Sequence, residues 1–316
     1  MARPIIAVPY VMAMLRRSWI LLVILFCLQC FGAEDVGCTQ RTVIVTARDR
    51  SGNTPPNTLQ MEDLRGKIND KPVQILAATK PTNPSRVALV LDASGSMSGK
   101  WQRALEFAVE IVRESPSSTQ FALVIFADNE LRTVQFGKTG PEIVTEIMSF
   151  KDVRPYGPTA LWDGIWEAAS TFQPSREGDT IVVVSDGGDS QSKVSPSKLR
   201  ETMWSRGIRV MFVQFVDPYL PNQFQSRNDA DAAWLSESSG GFLSRIEDPR
   251  GLPKAAQVIA FELENYLVVR ITLSKALEKP ASLRLEAVDP SGRKRKNIEL
   301  AFPEKLPPCA SLPSKQ

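Results

Sequence analysis

Four strongly apolar runs, separated by segments with helical spacing, constrain the fold of this chain more than any other feature. The runs are Val87–Leu91, Phe121–Phe126, Ile181–Val184 and Val210–Val216. A strand that is apolar at nearly every position is typical of a parallel sheet covered on both faces. Helical spacing of apolar residues occurs at 101–112, 141–149, 160–172, 196–205 and 252–264, and 126–136 predicts an antiparallel edge hairpin. These repeated strand–helix units predict an α/β fold with a doubly wound, mainly parallel sheet.

The segments on either side of this region, 34–84 and 263–316, are predicted to be rich in β-strands. Thr42–Arg48 is a β-branched run, and Asn69–Lys71 separates two short apolar runs as a hairpin turn would. Further strands are predicted at 266–273, 282–288 and 298–302. Neither segment has enough strands to cover a core alone. We therefore expect them to form one β-sandwich, with the α/β region at 85–262 inserted between them.

Residues 1–33 have the organisation of a secretory signal peptide. Arg16 and Arg17 precede an apolar stretch at 18–28, and small residues precede Glu34. The stretch is shorter than the ~20 residues that a membrane-spanning helix needs. We therefore predict export to the periplasm or the medium. An uncleaved N-terminal segment acting as a membrane anchor remains the alternative.

Charge gives no support for a nucleic-acid partner. The chain has 38 Lys and Arg against 35 Asp and Glu, a formal net charge of +3. Residues 1–33 contain three arginines and no acid, so the rest of the chain is neutral. The basic cluster at 293–296 follows turn-forming residues at 289–292, which indicates the solvated end of a hairpin.

The complete absence of histidine excludes Ser-His and Cys-His nucleophile pairs, imidazole bases and His-containing zinc sites. The pattern S-x-x-K occurs at Ser190–Lys193 and Ser195–Lys198, which leaves a Ser-Lys hydrolase as an alternative. Both matches lie in a polar loop and helix start, where chance matches are expected. We predict that the protein is not an enzyme.

Two of the four cysteines, Cys27 and Cys30, lie in the predicted signal peptide. Cys38 and Cys309 remain, one near each end of a chain bound for an oxidising compartment. We predict a disulfide between them. Free thiols and intermolecular bonds remain open as alternatives.

Polar side chains follow two of the buried strands, and another lies directly before a helix. Asp92, Ser94 and Ser96 come directly after the first strand, Asp186 follows the third, and Thr159 precedes a helix. In an open α/β sheet, ligands bind at this carboxyl edge. Oxygen ligands of this kind suit a hard divalent cation, Mg²⁺ first or else Mn²⁺ or Ca²⁺. Helix capping is the competing interpretation of Ser94 and Ser96.

This pattern resembles the von Willebrand factor type A (VWA) domain. Its metal-ion-dependent adhesion site (MIDAS) combines a D-x-S-x-S loop with a distant Thr and a distant Asp. The stretches LVLDASGSMSGKW, GPTALWDGI and VVVSDGGDS are similar to bacterial members, and the preceding VIVTARDRSG and MEDLRGKINDKPVQIL resemble the leader of exported VWA-related proteins common in Acidobacteria.

The resemblance implies a metal held by Asp92, Ser94, Ser96, Thr159 and Asp186. The hydroxyls would bind directly, the aspartates directly or through water, and one coordination position would stay open for an acidic side chain of a protein partner.

The sequence thus predicts an exported binding protein that engages an acidic partner side chain through a divalent cation. A structural envelope module, in which the metal only stabilises loops, is the alternative. The neighbouring acids Asp163 and Asp189 are expected to cap helices or to support the metal ligands.

Overall fold

The computed structural model describes residues 36–49, 59–216 and 226–309 of the 316-residue chain. The predicted signal peptide at 1–33 lies outside the described residues. Within the described ranges, no helix has the length and apolar character needed to cross a membrane.

The strands among the described residues are β1 Gln40–Asp49, β2 Leu64–Ile68, β3 Lys71–Thr79, β4 Arg86–Asp92, β5 Gln120–Phe126, β6 Glu130–Lys138, β7 Thr180–Ser185, β8 Arg209–Phe215, β9 Phe242–Ile246, β10 Leu267–Thr272, β11 Ala281–Ala287, β12 Ile298–Ala301 and β13 Lys305–Leu306. The α-helices are α1 Val36–Thr39, α2 Trp101–Glu114, α3 Gly140–Met148, α4 Leu161–Thr171, α5 Pro196–Arg206, α6 Ser226–Ser238 and α7 Leu252–Glu264. Short 3₁₀ turns lie at Met61–Asp63, Gly95–Met97 and Pro249–Gly251.

Six strands form a mixed sheet in the order β6-β5-β4-β7-β8-β9. Strand β4 pairs in parallel with both β5 and β7, and β8 and β9 continue the parallel pairing. Strand β6 is antiparallel to β5, as the hairpin prediction at 126–136 expected. The predicted buried strands correspond to β4, β5, β7 and β8, and the predicted helices to α2, α3, α4, α5 and α7.

Successive residues of the central strands point to opposite faces, and helices cover both faces. Val87, Leu89 and Leu91 of β4 pack with α2, α3 and α7. Ala88 and Val90 of the same strand pack with α4, α5 and α6. This double covering explains why the central residues of these strands are mostly apolar on both faces.

Helix α6 and strand β9 were not predicted from the sequence. The segment Ser226–Ser238 is polar and has little amphipathic periodicity, so it gives no clear helical signal. Strand β9 has only five residues, and three of them are partly or fully exposed. Both elements depend on packing beside β8, which no local pattern shows.

Seven strands from the two flanking segments form a second, antiparallel sheet in the order β12-β1-β10-β3-β2-β11-β13. Strands from before and after the α/β region are interleaved in it, so the flanks do pack together as expected. They form one hydrogen-bonded sheet, whereas we predicted a sandwich. Ile298 of β12 and Leu306 of β13, at opposite edges, belong to one core cluster, so the sheet curls around that core.

The turn between β2 and β3 falls where the sequence predicted it. Asn69 and Asp70 have φ values of 47° and 64°, a left-handed conformation that these two residue types tolerate. The amide of Asn69 donates to Ser282 O, which ties the hairpin to β11.

Cys38 and Cys309 form a disulfide, with Cα atoms 5.4 Å apart and 271 residues of separation. Cys38 lies on α1, directly before β1, and the amide of Cys309 donates to Leu277 O. The predicted pairing is confirmed. It joins the start and the end of the described chain at the seven-stranded sheet.

The seven-stranded sheet meets the six-stranded one at the amino ends of the parallel strands. Arg209, the first residue of β8, is completely buried there. Its guanidinium donates to the carbonyls of Glu262 and Leu263 at 3.2 and 3.3 Å and lies 4.1 Å from the ring centre of Tyr266. Gly240 approaches β1 so closely that a Cβ there would lie 2.8 Å from Ile44 O. The opposite, carboxyl edge carries the candidate site.

Candidate metal site

The candidate site lies at the topological switch point of the mixed sheet. From β4 the chain first continues to β5 on one side, and it later returns to β7 on the other side. Asp92 is the last residue of β4 and Asp186 directly follows β7. Because loops leave these neighbouring strands in opposite directions, a crevice opens between them, and such crevices bind ligands.

Asp92 is completely buried at the base of this crevice. Its Oδ1 accepts the amide of Ser94 at 2.9 Å, and its Oδ2 accepts the hydroxyl of Ser185 at 2.6 Å. Burial raises the pKa of Asp92 from 3.8 to about 6, and the negative charge of Asp186 adds a smaller increase. The hydrogen bonds act in the opposite direction. Asp92 is thus a carboxylate held by neutral donors, for which a cation would be a favourable neighbour.

Ser94 and Ser96 flank the start of the 3₁₀ turn Gly95–Met97. Ser94 is buried and Ser96 is exposed, and their hydroxyl oxygens lie 3.2 Å apart. Ser94 precedes the turn, but its hydroxyl makes no capping hydrogen bond. The geometry therefore does not support the capping interpretation for Ser94, and both hydroxyls lie on the loop beside Asp92.

Backbone hydrogen bonds attach the Thr159 loop to the Asp92 loop. The amide of Gly95 donates to Gly157 O at 3.0 Å, and the amide of Tyr156 donates to Ala93 O at 3.2 Å. Gly157 has a φ of +81°, which a residue with a side chain rarely adopts.

Thr159 itself is buried, and its backbone is tied to the loop that follows Asp186. Its N–H donates to Ser190 Oγ at 3.0 Å, and its carbonyl accepts the amide of Ser190 at 2.9 Å. The three loops with predicted ligands are thus joined at one edge by backbone contacts.

Asp186 has a cationic partner that the sequence did not indicate. Lys100 Nζ lies 2.9 Å from its Oδ2, and each side chain is 13% exposed. Lys100 is the residue before α2. This ion pair connects the loop after β7 to the end of the loop that carries Ser94 and Ser96.

Asp163 and Asp189 hold the surrounding loops in place. Asp189 Oδ1 accepts the amide of Leu161, the first residue of α4, so Asp189 caps a helix from another loop. Asp163 accepts the amides of Lys193 and Val194, which fastens the polar loop after the site. Asp189 therefore caps a helix as the sequence suggested, whereas Asp163 holds a loop and contacts no predicted ligand through these bonds.

The serines of the two S-x-x-K matches have structural partners. Ser190 Oγ accepts the Thr159 amide, and Ser195 caps α5 by accepting the amide of Lys198. Helix α5 ends at Arg206, and Gly207 follows it in the left-handed conformation, as glycine often does after a helix. Both serines thus take part in hydrogen bonds that hold the loop and the helix start.

The donor set fits a hard divalent cation. No group of three or more Asp, Glu, Cys or His suited to a metal occurs in the described part of the chain. The crevice offers two carboxylates, Asp92 and Asp186, and the hydroxyl-bearing residues Ser94, Ser96 and Thr159. Such an all-oxygen set suits Mg²⁺, Mn²⁺ or Ca²⁺ and lacks the sulfur and imidazole ligands of most zinc sites.

Two side chains of this region were missed by the sequence reasoning. Ser185 had only its position before Asp186 as a signal, and its contact with Asp92 requires β4 and β7 to be neighbours. Lys100 had no signal, because its partner is 86 residues away.

Comparison with known proteins identifies the domain around this site. The family model for the von Willebrand factor type A domain matches residues 87–254, more than half of the chain. The comparison with curated proteins found no match.

Several solved structures are similar to this chain. BatB from Bacteroides thetaiotaomicron is 19% identical, covering 56% of this chain and 98% of that one with a TM-score of 0.45. A von Willebrand factor type A protein from Catenulispora acidiphila is 11% identical, covering 87% and 75% with a TM-score of 0.48. Proximal thread matrix protein 1 from the mussel byssus, with a zinc-occupied MIDAS motif, is 19% identical, covering 60% and 49% with a TM-score of 0.48. On the strength of the family match, the chain belongs to the von Willebrand factor type A domain family.

Proposed function

We propose that this chain is an exported, non-enzymatic binding protein whose VWA domain uses a divalent cation to engage an acidic side chain of a protein partner. Asp92, Ser94, Ser96, Thr159 and Asp186 would hold the cation, with Mg²⁺ preferred over Mn²⁺ or Ca²⁺. When bound, the cation supplies a concentrated positive charge at the surface of the crevice.

The observation that carries this proposal is the burial of Asp92 at the switch point beside neutral donors. Its two oxygens accept from Ser94 and Ser185, and the charged group that acts on its pKa is another carboxylate, Asp186. A buried carboxylate of this kind is costly unless a cation compensates it. An evolved binding site accounts for that cost, whereas a purely structural loop would not require it.

Charge also explains why the partner should be acidic. With Asp92 and Asp186 ionised, Lys100 protonated and one divalent cation bound, these four groups together carry a net charge of +1. An Asp or Glu carboxylate of the partner would neutralise that charge and supply a further hard oxygen ligand.

Metal binding is tested by titrating Mg²⁺ into the purified full chain by isothermal calorimetry. Asp92→Asn should abolish binding, because the amide removes the negative charge with little change in size. Asp152→Asn is the matched control, since Asp152 is an exposed acid outside the crevice. Equal Mg²⁺ binding by the wild type and by Asp92→Asn would contradict the assignment.

Partner binding is tested by retaining envelope proteins on the immobilised chain with Mg²⁺ or with EDTA. A specific partner should be retained with Mg²⁺, lost with EDTA and lost on Asp92→Asn, while Asp152→Asn retains it. Proteolytic peptides from the retained protein should bind only while their Asp or Glu side chains are intact. Retention unaffected by EDTA would favour the structural envelope module.

Export is supported by the disulfide, because such bonds persist mainly in oxidising compartments. Detection of the protein outside the cytoplasm, with an N-terminus near Glu34, would support cleavage of the predicted signal. An N-terminus that retains residues 1–33 would support the anchored alternative.

A further inference from the structure

Lys100 is a positively charged side chain that contacts Asp186, one of the proposed metal ligands. Its ammonium lies 2.9 Å from Asp186 Oδ2, and both side chains are largely shielded from water. The Lys100 amide donates to Met97 O at 2.8 Å, and its carbonyl accepts the amide of Ala104 at 2.9 Å. Its backbone is therefore fixed between the turn that contains Ser96 and helix α2. The ammonium can leave Asp186 only by rotation of its own side chain.

We propose that Lys100 is an internal competitor of the divalent cation for Asp186. This inference rests on the proposed metal site and concerns how tightly that site binds. A shielded carboxylate needs a counter-charge, and the ammonium provides one without any metal. An ammonium and a divalent cation at the same carboxylate repel each other strongly in a partly dehydrated crevice. The cation therefore binds only when the ammonium rotates away from Asp186.

The competition concerns Asp186 and not Asp92. Both oxygens of Asp92 accept from neutral donors, so a metal can approach it without displacing a charged group. Lys100 has a flexible four-carbon side chain, so its ammonium can rotate away from Asp186 towards solvent. Once released there, its charge still adds to the positive field that an acidic partner meets. One residue thus weakens metal binding and favours the partner.

The test measures Mg²⁺ affinity of the full chain by calorimetry in four proteins: wild type, Lys100→Gln, Lys100→Arg and Lys193→Gln. Removal of the competing charge in Lys100→Gln should tighten Mg²⁺ binding about tenfold or more. Arginine pairs with carboxylates through two parallel hydrogen bonds, so Lys100→Arg should weaken binding several-fold. Lys193 is exposed on a neighbouring loop, and Lys193→Gln, which removes the same charge, should match the wild type.

Melting curves in EDTA provide a second readout. Lys100→Gln should melt lower than the wild type without metal, because Asp186 loses its counter-charge, and should gain more from saturating Mg²⁺. Unchanged or weaker Mg²⁺ binding by Lys100→Gln would overturn the competition while leaving the metal site intact. Tighter binding by Lys100→Arg would overturn it independently. Absence of Mg²⁺ binding in all four proteins would overturn both this inference and the proposed function.

Discussion

The two ends of the six-stranded sheet bury charged side chains in different surroundings. Arg86 and Arg209, at the amino ends of β4 and β8, are buried beside groups that neutralise or solvate them. Asp92, at the carboxyl end of β4, is buried beside neutral donors and a second carboxylate. Arg86 makes two hydrogen bonds to Asp179, at 2.9 and 2.6 Å. Arg209 has two backbone carbonyls and the Tyr266 ring. At the other end, Lys100 pairs with Asp186, whereas Asp92 accepts from Ser94 and Ser185.

The two ends of the sheet thus differ: the amino end has a structural role, and the carboxyl end is where we propose that a metal binds. Charge at the amino edge is satisfied within the chain, and this edge is covered by the seven-stranded sheet. Negative charge at the carboxyl edge is only partly satisfied, and the loops there leave Ser96 exposed. Substitutions at the first edge should therefore affect stability, and substitutions at the second should affect metal binding.

The largest expected effect on stability comes from opening the disulfide. Replacing Cys38 and Cys309 by serine removes a link across 271 residues, which the chain-entropy model values at on the order of 5 kcal/mol. Urea denaturation should show this loss of unfolding free energy, and Mg²⁺ affinity of the folded protein should not change. A loss of Mg²⁺ affinity in the folded variant would break the separation of the two edges.

The next largest loss of unfolding free energy is expected from breaking the buried Arg86–Asp179 ion pair at the amino edge. Arg86→Met leaves Asp179 buried without its partner and should lower the unfolding free energy by about 3–5 kcal/mol. The double variant Arg86→Met/Asp179→Leu should recover much of that loss, since it removes the unpaired carboxylate. Denaturation of both variants, with calorimetry as a control for Mg²⁺ binding, measures the effect. A double variant as unstable as the single one would contradict this explanation.

At the carboxyl edge, Asp92→Asn should abolish Mg²⁺ binding without lowering the stability of the metal-free protein. Without metal, the variant should be at least as stable as the wild type near neutral pH, because it removes a buried charge whose pKa is raised to about 6. Mg²⁺ at about a hundred times its Kd should stabilise the wild type by about 2.7 kcal/mol and leave the variant unchanged. Thermal melts with and without Mg²⁺ measure both effects. A strongly destabilised variant in EDTA would place Asp92 with the structural charges.

The smallest effect is a pH dependence of metal stabilisation. Asp92 has a folded pKa of about 6 against 3.8 for the ordinary carboxyl, so protons compete with the cation below about pH 6. Stabilisation by Mg²⁺ should fall by about 1.4 kcal/mol between pH 7.5 and pH 5, a tenfold loss of ionised carboxylate.

Without metal, the pH dependence of stability has the opposite sign. A raised folded pKa contributes stability below about pH 4 that is lost as pH rises through about 6. Parallel melts of Asp92→Asn, which cannot titrate at this position, isolate the effect. Identical pH profiles for the two proteins would show that Asp92 is not the group responsible.

Local patterns were sufficient for elements that are buried on both faces or strongly amphipathic. Strand β4 and helix α2 carry their own periodic signals, and the turn at Asn69 and Asp70 carries residues suited to positive φ. Helix α6 and strand β9 carry weak signals because neighbouring elements stabilise them. The flanking strands were recognised, but their interleaved order was not, since pairing depends on residues far apart in the chain.

The sequence by itself predicted the α/β architecture, the five residues proposed to hold a metal and a Cys38–Cys309 bond, although free thiols stayed open until the structure showed the disulfide. It could do so because strand burial, a D-x-S-x-S loop and two remaining cysteines are local or countable features. Only the tertiary structure decided that Ser185 supports Asp92, that Lys100 pairs with Asp186 and that the flanks share one curled sheet. Each of these contacts joins segments distant in sequence, and burial and charge act on side chains only after the fold has brought them together.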